Sequence, residues 1–379
     1  MENSPPATAC LAPDRSRLAS WLLLPAAVGI PASLLWDFSW ESTVGIDLAW
    51  APPHVATYLS VLLGGVIALG FIFSKPARGS GVRIGKFHAP LGAWVVAWGA
   101  VAFAVAVLFD RWWQSSYGLA AGIWHPPQIL KASGFFAILL GAWLFAASVQ
   151  NRTRTAGAFA FSAVGGALLA MMSVATITLA YPNRQHSAAF YQFACAMYPL
   201  VLAAVARAGR LRFPATVAAL THFALMCGMV WLLPIFPAKP QVAPIYHPLD
   251  HLMPPPFPLL LAAPALALDA LLRWFPGRAQ RFQDWRRAGE AGLAFFAVFI
   301  VVQWRFAEFL LTPAADNWFF AGGGMHWPFF LKIDPRARVA FWKMGDDFTL
   351  ARGLVAATLA VLSTRAGLWL GAWMKRVQR

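Results

Sequence analysis

Asp37, Glu41 and His54 follow an Asp-x3-Glu-x12-His spacing, carried by Trp36-Asp37-Phe38-Ser39-Trp40-Glu41 and Pro52-Pro53-His54, where one apolar run ends and the next begins. Carboxylates and imidazoles at a membrane boundary are costly to desolvate unless something pairs with them, so their grouping points first to a functional site. If a helix continues through Glu41, the i, i+4 pair Asp37 and Glu41 shares one face. A loop of about a dozen residues can then return His54 to them, and the three groups could close around a single metal ion. The plainer alternative is that Asp37 caps backbone or pairs with an arginine, while Pro-Pro-His merely opens a span.

A second group lies in Tyr246-His247-Pro248-Leu249-Asp250-His251. A His-x3-His pair can place both rings on one helical face, so His247, Asp250 and His251 are candidates for a second metal or proton-handling site. Pro248 and the run Pro254-Pro255-Pro256 argue against an ordinary helix there. With His54, His125, His186 and His326, six of the eight histidines fall in loops expected on one membrane face, or at their edges. The others read as structural: His88 at an interface and His222 as a buried, hydrogen-bonded histidine within a span. Arg305 and Glu308, at i, i+3, are expected to pair. Met171 and Met172 read as core filling, and Cys10, Cys195 and Cys227, which lack metal-ligand spacing, as packing residues.

The elements that must hold these residues are membrane helices. Of 379 residues, 59% are hydrophobic and 12% charged, far below the roughly 25% charged typical of a soluble domain. Ten apolar runs are long enough to cross ~30 Å of hydrocarbon, near 17–37, 51–74, 89–109, 127–149, 156–180, 187–206, 214–236, 257–274, 289–311 and 353–374. The expected fold is therefore all-α, a polytopic bundle of about ten spans. It divides into a bundle over 1–311, a lid-like extracytoplasmic loop over 312–352 rich in aromatics and glycine, and a last span with a tail over 353–379. The net charge of +15 does not imply a nucleic-acid partner, because Lys and Arg concentrate in alternate connections. That positive-inside pattern predicts a multi-pass membrane protein with both termini in the cytoplasm and the bilayer as its main partner.

The first two loops on the opposite face repeat. Asp37, Trp40, Glu41, Gly45 and Pro52-Pro53-His54 align with Asp110, Trp113, Gln114, Gly118 and Pro126-Pro127-Gln128, slipping one residue after the glycine. A duplicated helix-loop-helix unit follows, with the acid ending one span and Pro-Pro opening the next.

At Asp37-x3-Glu41-x12-His54, with Trp40 before Glu41 and a proline turn before His54, the chain resembles the C subunit of the particulate methane and ammonia monooxygenases, the copper membrane monooxygenases. The resemblance covers about twenty residues; the whole chain also resembles a group of uncharacterised bacterial membrane proteins sharing these loop motifs. The resemblance implies copper ligation by Asp37 and His54 and puts Glu41 where that family has histidine, which suits iron, manganese or zinc as alternatives to copper. It further implies a membrane-bound monooxygenase subunit, with other subunits in a membrane complex, oxidising a small apolar substrate with dioxygen. In the second copy Gln114 and Gln128 replace ligands, leaving Asp110 near His125. The competing reading is a non-catalytic membrane scaffold, metal-handling protein or small-solute carrier that keeps the fold with a degenerate site.

Overall fold

The computed structural model describes residues 12–45, 48–74, 81–118, 124–153, 157–241, 250–274, 281–321 and 345–377. Its helices are α1 (Ala12–Thr43), α2 (Pro52–Phe73), α3 (Leu91–Tyr117), α4 (Pro126–Thr153), α5 (Ala158–Ala175), α6 (Ala188–Ala208), α7 (Pro214–Leu232), α8 (Ala262–Trp274), α9 (Arg281–Leu310) and α10 (Leu350–Met374). Among the described residues, nine of these are long and apolar enough to cross a membrane, α8 being the exception. The protein is an all-α, multi-pass membrane protein. A hairpin of β1 (Val82–Ile84) and β2 (Phe87–Ala89) joins α2 to α3, with His88 paired in register to Arg83. Gly85, at φ +60°, makes its turn.

The chain forms two compact units. One comprises Met1–Ala27, Leu59–Val164 and Trp373–Arg379; the other comprises Val28–Tyr58 and Gly165–Ala372. In the first, α3 and α4 meet along a seam of small residues. A Cβ on Gly99 would stand 2.8 Å from the Gly134 carbonyl oxygen, and one on Gly141 would stand 2.5 Å from the Val96 nitrogen. Lipid tails are as apolar as leucine, so close backbone approach, rather than a hydrophobic driving force, holds two such helices together. Leu59, Leu62, Val66 and Leu69 of α2 are exposed, as lipid-facing residues of a span are.

In the second unit the expected span at 257–274 takes another form. Helix starts only at Ala262, and its 13 residues reach about 20 Å, too short to cross alone. Ahead of it Leu252-Met253-Pro254-Pro255-Pro256-Phe257-Pro258-Leu259 runs non-helical and buried throughout. Irregular backbone at such depth is tolerated only where protein satisfies its polar groups. Thr43 accepts from the Met253 amide at 2.9 Å, and the Ser39 hydroxyl donates to the Met253 carbonyl. The Leu260 amide donates to Gln303, which in turn donates to Gln185. The four prolines have no N–H to satisfy. The apolar composition read as one helix was therefore right about burial, and the prolines decided its shape.

Of the expected lid, 322–344 lies outside the described residues, His326 with it. Its first residues pack inward: Phe320 lies 5.3 Å from Phe257 and 4.9 Å from Phe309 between ring centroids, and Trp231 donates its indole N–H to the Phe319 carbonyl at 2.9 Å. The expected Arg305–Glu308 pair forms at 2.9 Å. His222 is fully buried, its Nε2 3.0 Å from the Ser173 hydroxyl, which also meets the Tyr198 hydroxyl.

Candidate functional site

The repeat read from the sequence is present in the backbone. α1 ends through Gly45 at φ +80° and α3 through Gly118 at φ +85°, the left-handed conformation that lets a helix stop without a Cβ clash. Their amides donate back to Trp40 and Gln114 respectively, positions that the alignment offsets by one. α2 and α4 each open on Pro-Pro, where missing N–H groups cost nothing.

In the first copy this geometry brings Asp37 and His54 together. His54 Nε2 lies 3.2 Å from Asp37 Oδ1, with side chains 22% and 19% exposed. The ring is fixed from its other side, where Nδ1 lies 2.8 Å from the Leu48 carbonyl oxygen. A carbonyl can only accept, so Nδ1 carries a proton and Nε2 is the nitrogen left to meet the acid. This is the arrangement by which a backbone carbonyl sets a ligand histidine's tautomer. Tyr58 stacks on the ring at 6.3 Å and ties itself to the Ala49 carbonyl. Below, the Thr57 hydroxyl donates to Ser33, clamping α2 to α1 one turn deeper. Asp37 Oδ1 is buried and accepts no hydrogen bond among the described residues.

Glu41 sits one turn beyond Asp37 on the continuous helix, as expected, but its residue is exposed. Among the described residues no three His, Cys, Asp or Glu side chains gather closely enough to hold a metal. Two of the three expected donors therefore converge. Their 3.2 Å separation suits a carboxylate–imidazolium pair. It also suits two ligands each about 2.1 Å from one ion and about 100° apart, and the buried Oδ1 fits that use.

In the second copy, Asp110 finds Lys131 instead, Nζ to Oδ2 2.6 Å, with side chains 24% and 10% exposed for Lys131 and Asp110. Lys131 lies one helical turn beyond Gln128, the aligned ligand position, and so was invisible to the alignment. His125 packs edge-on against Trp113 at 5.9 Å rather than joining the acid in the pair.

Of the second candidate cluster, His247 lies outside the described residues. His251 Nδ1 lies 2.5 Å from Asp250 Oδ1, the aspartate side chain being 92% exposed and the histidine 27%. That hydrogen bond holds the Asp250 carboxyl below the usual carboxylate range. The ring's Nε2 points inward, buried and without a hydrogen-bond partner among the described residues. Backbone pairing with Pro237 fixes the segment, and Leu252 packs with Val44, Trp36 and Trp40, at the end of α1 that carries the first pair.

A contact that sequence reasoning did not assemble is made by His186, which meets Trp304 edge-on at 4.7 Å beside the Gln185–Gln303 bond. Burial lowers the His186 pKa, against an opposing pull from Glu308 and a hydrogen bond with Trp304 backbone. The signal available was the loop Tyr181-Pro182-Asn183-Arg184-Gln185-His186, a polar run between two spans, whose partners on α9 lie over a hundred residues away.

Compared with protein-family models, with curated proteins and with solved structures, the chain matches none of them.

Proposed function

We propose that this is a metal-binding membrane protein whose ion is held by Asp37 and His54, related through that corner to the C subunit of the copper membrane monooxygenases. The observation that supports this reading is the buried Asp37 Oδ1, without a hydrogen bond and 3.2 Å from a histidine nitrogen whose tautomer a backbone carbonyl has already set. A copper, iron, manganese or zinc ion would supply Lewis-acid chemistry there, and a redox-active one dioxygen activation. The chain's own part is to hold a carboxylate and an imidazole at the membrane boundary. Small apolar substrates would arrive through the bilayer. Both termini lie in the cytoplasm of a bacterial inner-membrane protein, and reporter fusions after Lys86 and near Gly45 should read opposite sides.

The second reading is a scaffold, metal-handling protein or solute carrier without oxidase chemistry. The contact that favours it is Lys131 on Asp110, where the same fold neutralises the acid with a cation of its own. Metal analysis of the full chain purified without chelators separates the readings. Roughly one ion per chain is expected, falling at least about tenfold in Asp37→Asn and in His54→Ala. Metal-free parent protein that stays empty when offered each ion would sink the metal reading. A tightly held but redox-inactive ion would favour metal handling.

A further inference from the structure

The start of α7 and the end of α8 bring two arginines onto one aromatic ring. The guanidinium carbons of Arg212 and Arg273 lie 5.3 and 5.9 Å from the centroid of Phe213. Arg273 also donates from Nη1 to the Arg212 carbonyl oxygen at 3.1 Å, which fixes the Arg273 head beside the chain segment that carries Arg212 and Phe213. Like charges held this way repel, and the attraction of each for the ring face only partly offsets that.

The charged groups around them are already committed. Arg207, at the end of α6, faces Asp284 at 3.6 Å. Asp269, one turn before Arg273 on α8, accepts from the Ala215 amide, the Thr216 amide and the Thr216 hydroxyl at 2.8–3.2 Å, and thereby caps α7. Both arginines are exposed, as is neighbouring Arg210. Among the described residues no carboxylate forms an ion pair with any of the three.

We propose that Arg212 and Arg273, braced on Phe213, form a binding site for a phosphate-bearing anion, either a lipid phosphodiester headgroup or a soluble phosphate. Each guanidinium presents its N–H donors as a planar fork that matches phosphate oxygens two at a time, and the bracing leaves little side-chain freedom to lose on binding. The first-turn amides of α7 are occupied by Asp269, so the forks alone supply the donors. Phe213 marks the start of a span, the depth at which lipid phosphates lie, and basic pockets between helices at that level recognise anionic headgroups. A bound phosphate would supply the counter-charge that the pair lacks.

The test uses the purified full chain in detergent, offered phosphatidylglycerol, phosphatidylcholine or sodium phosphate, with thermal unfolding and retained lipid by native mass spectrometry as readouts. Phosphatidylglycerol should raise the unfolding temperature and stay bound. Its affinity should fall at least about fivefold in Arg212→Gln/Arg273→Gln. If sodium phosphate alone reproduces the shift and the double variant loses it, the site stands with a soluble ligand. Should the glutamine variant not accumulate, Arg212→Lys/Arg273→Lys keeps the charge but removes the forks, and about fivefold weaker binding is again expected. Phosphatidylglycerol and phosphate binding unchanged in these variants, no binding of either by the parent, or equal retention of phosphatidylcholine irrespective of the arginines would overturn the proposal.

Discussion

The two copies of the helix-loop-helix repeat place an aspartate at the same point and answer it differently. Asp110 meets a lysine, on a helix fixed to its neighbour by a glycine seam. Asp37 meets a histidine, ionic only when the ring is protonated, whose Nε2 is otherwise a lone pair directed at the acid. The lysine answers its acid with a cation of the chain's own, whereas an imidazole beside Asp37 can take up a proton or a metal. One helix-loop-helix plan thus carries an acid–lysine pair in one copy and an acid–histidine pair in the other.

That contrast can be broken most severely at the seam. Gly141→Leu would drive a side chain into backbone that a bare Cβ already approaches at 2.5 Å. It should cost about 3 kcal/mol or more and appear as loss of monodisperse protein. Next in size, Lys131→Met leaves a buried Asp110 without its cation. Breaking a fully buried pair costs about 3–5 kcal/mol, and the partial exposure of Lys131 lowers the expectation to about 2–3 kcal/mol. Asp110→Asn added to it should recover most of the loss in thermal unfolding.

The corresponding change in the first copy should be small in stability and large in chemistry. His54→Ala is expected to shift metal-free stability by less than about 1 kcal/mol while lowering the metal content that the proposed site predicts. His54→Lys sharpens the comparison: it should keep stability and still abolish metal binding, turning the first corner into the second. If His54→Ala destabilises the protein as much as Lys131→Met, the two corners are alike and the contrast fails.

A smaller effect concerns pH. Burial lowers the His186 pKa, so the folded protein binds fewer protons there than the unfolded chain. Stability is then full above the ordinary histidine value of about 6.5. It declines as pH falls from there toward the lowered value. His186→Gln should flatten that part of the stability–pH profile.

Much of this was legible in the chain. Long apolar runs announce membrane helices, and the repeated Asp, Trp, Gly and Pro-Pro anchors announce the duplicated corner because each has a local backbone reason. The Arg305–Glu308 pair and buried His222 followed from helical spacing and from the cost of an unpaired polar group in hydrocarbon. What stayed hidden depended on distance along the chain or on rotation about a helix. Lys131 answers Asp110 from one turn beyond the aligned position, which no alignment of loops exposes. Nor could the i, i+4 spacing of Asp37 and Glu41 say that the second acid would be exposed. The hairpin at Val82–Ala89 is too short to carry a periodic pattern. The broken span hid behind an apolar composition that helix and buried extended chain share, although its prolines argued for the latter.

That proline-rich stretch bears on how the protein is made. From Met253 to Leu259 only Met253, Phe257 and Leu259 carry amide hydrogens, so the nascent segment enters the bilayer with four fewer donors to leave bare, each a matter of several kcal/mol. The hydroxyls that receive Met253 belong to Ser39 and Thr43, synthesised 214 and 210 residues earlier. The first span must therefore wait, inserted and incompletely bonded, until the ribosome has delivered most of the chain. Assembly of this corner is a late event at an early helix, and truncation anywhere before Met253 leaves it unfinished.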